Sequence, residues 1–143
     1  MGLNNAMDIS VSAINAERMQ MELISSNIAN INTTRTPDGG TYTRKMAVFT
    51  EKPLSFEQAL VKAQQTKGIG GVEVKVVDDK SNPYQKVYNP SHPHADADGY
   101  VMLPNVSIAQ EMADMVYANK LYETNINVFT ATKKMAQDTL QIQ

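Results

Sequence analysis

The stretch His92-Pro93-His94-Ala95-Asp96-Ala97-Asp98-Gly99 gathers the side chains best able to hold a cation, with His94, Asp96, Asp98 and Gly99 at positions 1, 3, 5 and 6 of a calcium-loop template. Position 12, where that template requires a bidentate glutamate, is Asn105, and Pro90 and Pro93 stand where a helix should lead in. The loop therefore reads as a turn in which aspartates accept backbone hydrogen bonds, and no metal is expected there. Nucleophilic chemistry has less to work with. The two histidines lie close together, cysteine is absent, and there is no Gly-x-Ser-x-Gly turn. Gly68-Ile69-Gly70-Gly71 lacks the lysine and the following helix of a phosphate loop. No catalytic residue, cofactor-binding residue or metal ligand is assigned, and the chain is not expected to be an enzyme.

The spacing that stands out belongs to packing. Met7, Ile14, Met21 and Ile28 recur every seven residues near the start, and Ile108, Met115, Tyr122 and Phe129 repeat that interval near the end. Apolar residues at intervals of seven keep to one face of a helix and favour a partner helix against it. The expected assembly seams are Met7, Ile14, Met21 and Ile28 on the first helix, and Met115, Tyr122, Ile126 and Phe129 on the last.

These stripes need elements to carry them. The first helix is predicted from about Asn5 to Ile31, roughly 40 Å at 1.5 Å per residue. It ends in Asn30, Asn32, Thr33 and Thr34, and Pro37-Asp38-Gly39-Gly40 marks a turn. The middle is read as short strands: Tyr42 to Phe49, Val72 to Val77, Lys86 to Tyr88 and Gly99 to Leu103. Residues near 55–65 read as a short helix capped by Ser55. The last helix is expected from near Asn105, taken as its cap, to about Gln141, with Asn119 and Lys133 as polar flaws on its stripe. The fold class is α+β: long N- and C-terminal helices pairing as a coiled coil, with a small β-rich insert between them. The expected domains are 1–35, 36–104 and 105–143, the first and last forming a common core.

Composition narrows the partners. A chain of 143 residues makes one ordinary domain. Thirteen basic against fifteen acidic residues leave a net charge of −2, so no phosphate-attracting surface is expected and nucleic acid is excluded as the anticipated partner. The first twenty residues include Asp8, Glu17 and Arg18, which break any apolar run, so neither a cleavable secretory signal nor a membrane span is expected. Two long apolar seams in so small a chain point to self-association. A soluble cytoplasmic adaptor or chaperone-like module that grips one partner with its helices is the competing reading.

Ser25-Ser26-Asn27-Ile28-Ala29-Asn30-Ile31-Asn32-Thr33 is too rich in amides and hydroxyls to be an ordinary helix end. Asn27, Asn30 and Asn32 are read as amides that bridge neighbouring subunits. This run resembles the Ser-x-Asn-x-Ala-Asn-x-x-Thr motif of the bacterial flagellar axial proteins, the rod and hook family. Further blocks carry the resemblance in order along the chain, among them Thr36 to Phe49, Val87 to Val106, Glu111 to Met115 and Tyr122 to Asn125. They are similar to the proximal-rod members of that family. His94 departs from the pattern, where an acidic or small polar residue is more usual.

The resemblance implies a structural subunit that assembles with itself and with other flagellar rod proteins into a hollow helical shaft transmitting motor torque. It implies membrane-ring and rod-base adaptor proteins as neighbours and export by the flagellar type III apparatus. Its place would be the basal body, outside the cytoplasmic membrane, in the periplasmic part of the rod. No cofactor, no nucleic acid and no direct membrane insertion are expected.

Overall fold

The computed structural model describes residues 3–37, 39–52, 71–82 and 84–141. Two long helices bracket short strands in the order α1 (Leu3–Ala29), β1 (Lys45–Glu51), β2 (Val72–Asp78), β3 (Gln85–Tyr88), β4 (Tyr100–Leu103) and α2 (Ile108–Gln141). The fold is α+β, with two small two-stranded sheets between the helices. The short helix expected near 55–65 lies outside the described residues. Among the described residues no helix is long and apolar enough to cross a membrane.

β1 pairs with β2, and backbone bonds close the ladder at both ends: Asp79 N–H donates to Arg44 C=O at 2.7 Å and Lys52 N–H to Gly71 C=O at 2.7 Å. Each pair of numbers has the same sum, so the strands run antiparallel. β3 and β4 are antiparallel with Val87 opposite Val101 and Tyr88 opposite Tyr100, whose rings meet edge to face at 5.3 Å. The loop joining them is the stretch that resembled a calcium site. Asp96 Oδ1 accepts the backbone N–H groups of Asp98 at 3.1 Å and Tyr100 at 2.8 Å, as an Asx turn does. Gly99 sits at φ 80°, where a Cβ would also meet the Tyr88 ring at 3.0 Å, so glycine is required twice over. The same loop is tied back by Thr34, whose hydroxyl lies 2.8 Å from His94 Nδ1.

One expectation is corrected at the start of α2. Asn105 does not cap this helix. The first helical bond runs from Glu111 N–H to Ser107 C=O at 2.9 Å, which makes Ser107 the N-cap residue. The Asn105 side chain is engaged elsewhere, as described below.

The chain divides into two compact units. One comprises the described residues of Met1–Met19, Val48–Lys75 and Tyr117–Gln143. Its most buried side chains are small or polar: Ala16, Glu17, Ala118 and Thr132. Thr132 donates to Val128 C=O at 2.9 Å, which satisfies its hydroxyl within the helix. Glu17 is 8% exposed, and its Oε2 has no hydrogen-bond partner. Burial pushes the Glu17 carboxyl above its usual value of 4.5. In this unit Ser12 Oγ accepts the Val72 N–H at 3.0 Å, and Gly71 allows the approach because a Cβ there would lie 2.7 Å from that oxygen. The second unit comprises the described residues of Gln20–Ala47 and Val76–Val116. Ile24, Tyr42, Val101, Pro104 and Val106 are buried in it together with a set of buried polar side chains.

Candidate functional site

The buried polar set of the second unit is built on the amide-rich end of α1. Past Ala29 the helix tightens and ends: Ile31 N–H donates to Ile28 C=O and Thr33 N–H to Asn30 C=O, bonds three residues apart of the kind that closes a helix in a tighter turn. The chain then doubles back. Thr36 and Gly40 close a tight turn at 2.7 Å, and Tyr42 N–H donates to Thr33 C=O at 3.3 Å, which brings residues 42–45 alongside the end of the helix.

There the Asn27 amide reads the main chain of Lys45 on both sides. Its Oδ1 accepts the Lys45 N–H at 2.9 Å, and its Nδ2 donates to the Lys45 C=O at 2.9 Å. Oδ1 also accepts the Tyr42 hydroxyl at 2.9 Å, and Nδ2 also donates to Glu111 Oε2 at 3.0 Å. An amide offers two donor and two acceptor positions, and all four are filled. Asn27 is 1% exposed. It has nothing left to offer a neighbouring subunit, so the contact expected of it gives way to an internal one. A flipped amide would set its oxygen against the Lys45 carbonyl and the Glu111 carboxylate, which fixes its orientation.

Asn105 plays the matching part on the adjacent residue. Its Oδ1 accepts the Arg44 N–H at 2.8 Å, and its Nδ2 donates to the carbonyls of Asp79 at 2.8 Å and Asn82 at 3.2 Å. Two asparagine amides thus stand in for a missing strand where β1 begins.

Arg44 is the centre of charge. Its Nε donates to Glu111 Oε1 at 2.5 Å, its Nη2 to Asp114 Oδ2 at 3.1 Å, and its Nη1 lies 3.7 Å from Asp79 Oδ2. Glu111 is 0% exposed, so its charge is tolerable only because Asn27 and Arg44 donate to both of its oxygens. Asp79 is also buried; its carboxyl is held below the usual 3.8 chiefly by the Ser81 backbone N–H, and further by the Asn82 amide and the Arg44 charge. Arg44, Tyr42, Asp79, Asn105 and Glu111 had not been singled out as site residues in the sequence. One signal was available. Glu111 lies three residues from Ile108 and four from Met115, on the face read as apolar, and a carboxylate on such a face requires a buried donor.

The residues expected at the seams are mostly half-buried. Met7, Ile14, Met21 and Ile28 of α1 and Met115, Tyr122 and Phe129 of α2 are each half-buried, while Ile126 is 37% exposed. The fully buried positions of α2 form another row at the same interval, Glu111, Ala118 and Thr132, with half-buried Asn125 between them. Spacings of three and four between the rows are those of the two seam positions of a heptad. Asn30 is half-buried, donating to Ser26 C=O and accepting from Thr33, and Asn32 is exposed. Large apolar side chains also remain open along α2, among them Met112, Val116, Tyr117, Met135 and Leu140.

An arrangement of this kind fixes a backbone. Comparison with known proteins agrees with a structural role. Residues 7–35 match the family described as flagella basal body rod protein, and residues 97–142 match the C-terminal family of the flagellar basal body rod FlgEFG proteins. The flagellar basal-body rod protein FlgC of Borreliella burgdorferi is 36% identical, over 99% of this chain and 98% of its own length. Those of Bacillus subtilis and Salmonella typhimurium are also 36% identical, the first over 96% of both chains and the second over 99% of this chain and 98% of its own. Matches of that extent, with the amide-rich end of α1 inside one family segment and Glu111 inside the other, show that the chain belongs to the FlgC family of flagellar basal-body rod proteins.

Proposed function

We propose that the chain is a structural subunit of the flagellar basal-body rod that builds a hollow helical shaft by packing its terminal helices against those of neighbouring copies and other rod proteins. The end-to-end match to FlgC relatives carries this reading. The half-buried state of Met7, Ile14, Met21, Ile28, Met115, Tyr122 and Phe129 supports it, because each keeps apolar surface for a neighbour after the chain has folded. Ile126 joins that set, and Asn30 and Asn32 supply amides to adjacent subunits. Contacts that repeat head to tail without closing generate a filament, and close-packed helices resist torsion because twisting unpacks them along their length. The neighbours proposed are rod proteins, the membrane ring and the adaptor at the rod base. Delivery is by the type III export apparatus, without a cleaved signal, to the periplasmic rod. The three domains proposed, 1–35, 36–104 and 105–143, assign assembly to the two ends.

The test is substitution at the seam. Ile28→Asp and Phe129→Asp each place a carboxylate in an apolar contact at a cost of several kcal/mol. Cells carrying either variant should make the protein at normal levels, lack rods in purified basal bodies and fail to swim. Normal swimming would overturn the seam. Recovery of the full-length chain from cytosol alone, as a defined small oligomer absent from basal bodies, would favour the adaptor reading.

A further inference from the structure

The carboxylate of Glu111 is wholly buried, and among the described residues the donors that reach it are Asn27 Nδ2 and Arg44 Nε. Those donors come together only because residues 42–45 fold back along the end of α1, where the Asn27 amide grips both backbone groups of Lys45. The cup is therefore formed by one stretch of chain, and Glu111 enters it from another. We propose that Asn27 and Glu111 form a donor–acceptor code that positions the start of α2 on the end of α1 and rejects other seatings of that helix within the subunit. Asn27 and Glu111 are positioning residues in this proposal. It does not depend on how subunits assemble.

The physical argument rests on what a slipped helix would offer. A shift by one residue brings Gln110 or Met112 to the place of Glu111, and a shift by one turn brings Ser107 or Met115. Each is neutral. Each leaves the Arg44 guanidinium, 13% exposed, without its closest carboxylate, and carries Glu111 away from its donors. A shift of three residues brings Asp114, whose side chain is one methylene shorter and stops short of the amide. Apolar contact alone discriminates weakly between such registers, whereas a buried charge that finds no donor costs several kcal/mol. A single buried polar residue fixes the register of coiled coils by the same logic.

The code can be inverted without changing side-chain shape, and that supplies the test. Asn27→Asp replaces Nδ2 with an oxygen that faces the Glu111 carboxylate and the Lys45 carbonyl. Glu111→Gln replaces Oε2 with an amide nitrogen. Together they exchange donor and acceptor at the 3.0 Å contact, leave the second side-chain oxygen of position 111 available to Arg44 Nε, and conserve net charge; only the bond to Lys45 C=O stays lost.

Urea unfolding of the full chain should show Asn27→Asp lowering the folding constant by about 100-fold and Glu111→Gln by about tenfold. The double variant should exceed the product of the two by about 100-fold, and so fold about tenfold better than Asn27→Asp alone. The Arg44 Nε–H resonance reports position separately from stability. It should hold its hydrogen-bonded shift in the wild type and the double variant, and lose it in Asn27→Asp. If Asn27→Asp alone does not fold, a folded double variant is the expected rescue. Additive losses, an unmoved Arg44 resonance in Asn27→Asp, or a double variant that folds no better than Asn27→Asp would overturn the proposal.

Discussion

The two units bury polar groups to opposite ends. In the unit of Gln20–Ala47 and Val76–Val116, Asn27, Asp79, Asn105 and Glu111 are all buried and all find partners. In the unit that holds the first half of α1, Glu17 is buried nearly as deeply and one of its oxygens finds none. A buried polar group with its hydrogen bonds made contributes about 1 kcal/mol net, and one left without them costs about 1–3 kcal/mol. The former unit is thus specified by its polar groups, and the latter is held together in spite of one. The contrast therefore lies in how each unit treats its buried polar groups: one satisfies them, and the other leaves an oxygen of Glu17 without a partner.

Removing the centre of the satisfied set tests the comparison hardest. Arg44→Met keeps an unbranched apolar stem out to about the position of Nε and deletes the charge that faces Glu111, Asp114 and Asp79. Leaving a buried carboxylate uncompensated costs about 3–5 kcal/mol. The variant should lose that much in chemical denaturation, a large part of the stability of a small domain. A loss below about 1 kcal/mol would show that the ion pairs are incidental and that apolar contacts define the unit.

The contrast also explains what could be read in the sequence. Helical period, turn residues and alternating valines are local signals, and they placed α1, α2 and the four strands near where they lie. The Asp96 turn was legible for the same reason, since its hydrogen bonds span two and four residues. The polar node was not. Arg44 meets Asn105, Glu111 and Asp114 across 61 to 70 residues of chain, and no local pattern encodes such a meeting. Asn105 was assigned a cap because caps are what asparagine usually does beside a helix, and here tertiary contacts outbid the local preference. The buried row of Glu111, Ala118 and Thr132 forms no apolar stripe because its members are small or polar, although the heptad itself implies a second row beside the first.

A smaller effect of opposite sign is expected from the unsatisfied group. Glu17→Leu removes a buried carboxylate whose Oε2 has no partner and replaces it with a side chain of similar volume. The isolated chain should gain about 1–2 kcal/mol, seen as a higher denaturation midpoint with an unchanged slope. Destabilisation by that amount would mean that the Glu17 carboxylate is supported by its surroundings, and the contrast between the units would fall.

The smallest effect, and the one that reads both units in a single experiment, is the dependence of stability on pH. Glu17 titrates above its usual 4.5 in the folded chain because burial disfavours its charge, so its contribution is fully present below 4.5 and is lost as pH rises through the raised value. Asp79 titrates below its usual 3.8, chiefly through the Ser81 N–H, so its contribution is present above 3.8 and is lost as pH falls through the lowered value. Acidification from neutrality should therefore first stabilise the chain as Glu17 takes up a proton, then destabilise it as Asp79 does. Glu17→Leu should abolish the rise and leave the acid loss; Asp79→Asn should blunt the acid loss and leave the rise. Denaturation midpoints measured from pH 3 to 7 separate the two limbs. A wild-type profile that only falls on acidification would show that Glu17 is not the group that divides the two units.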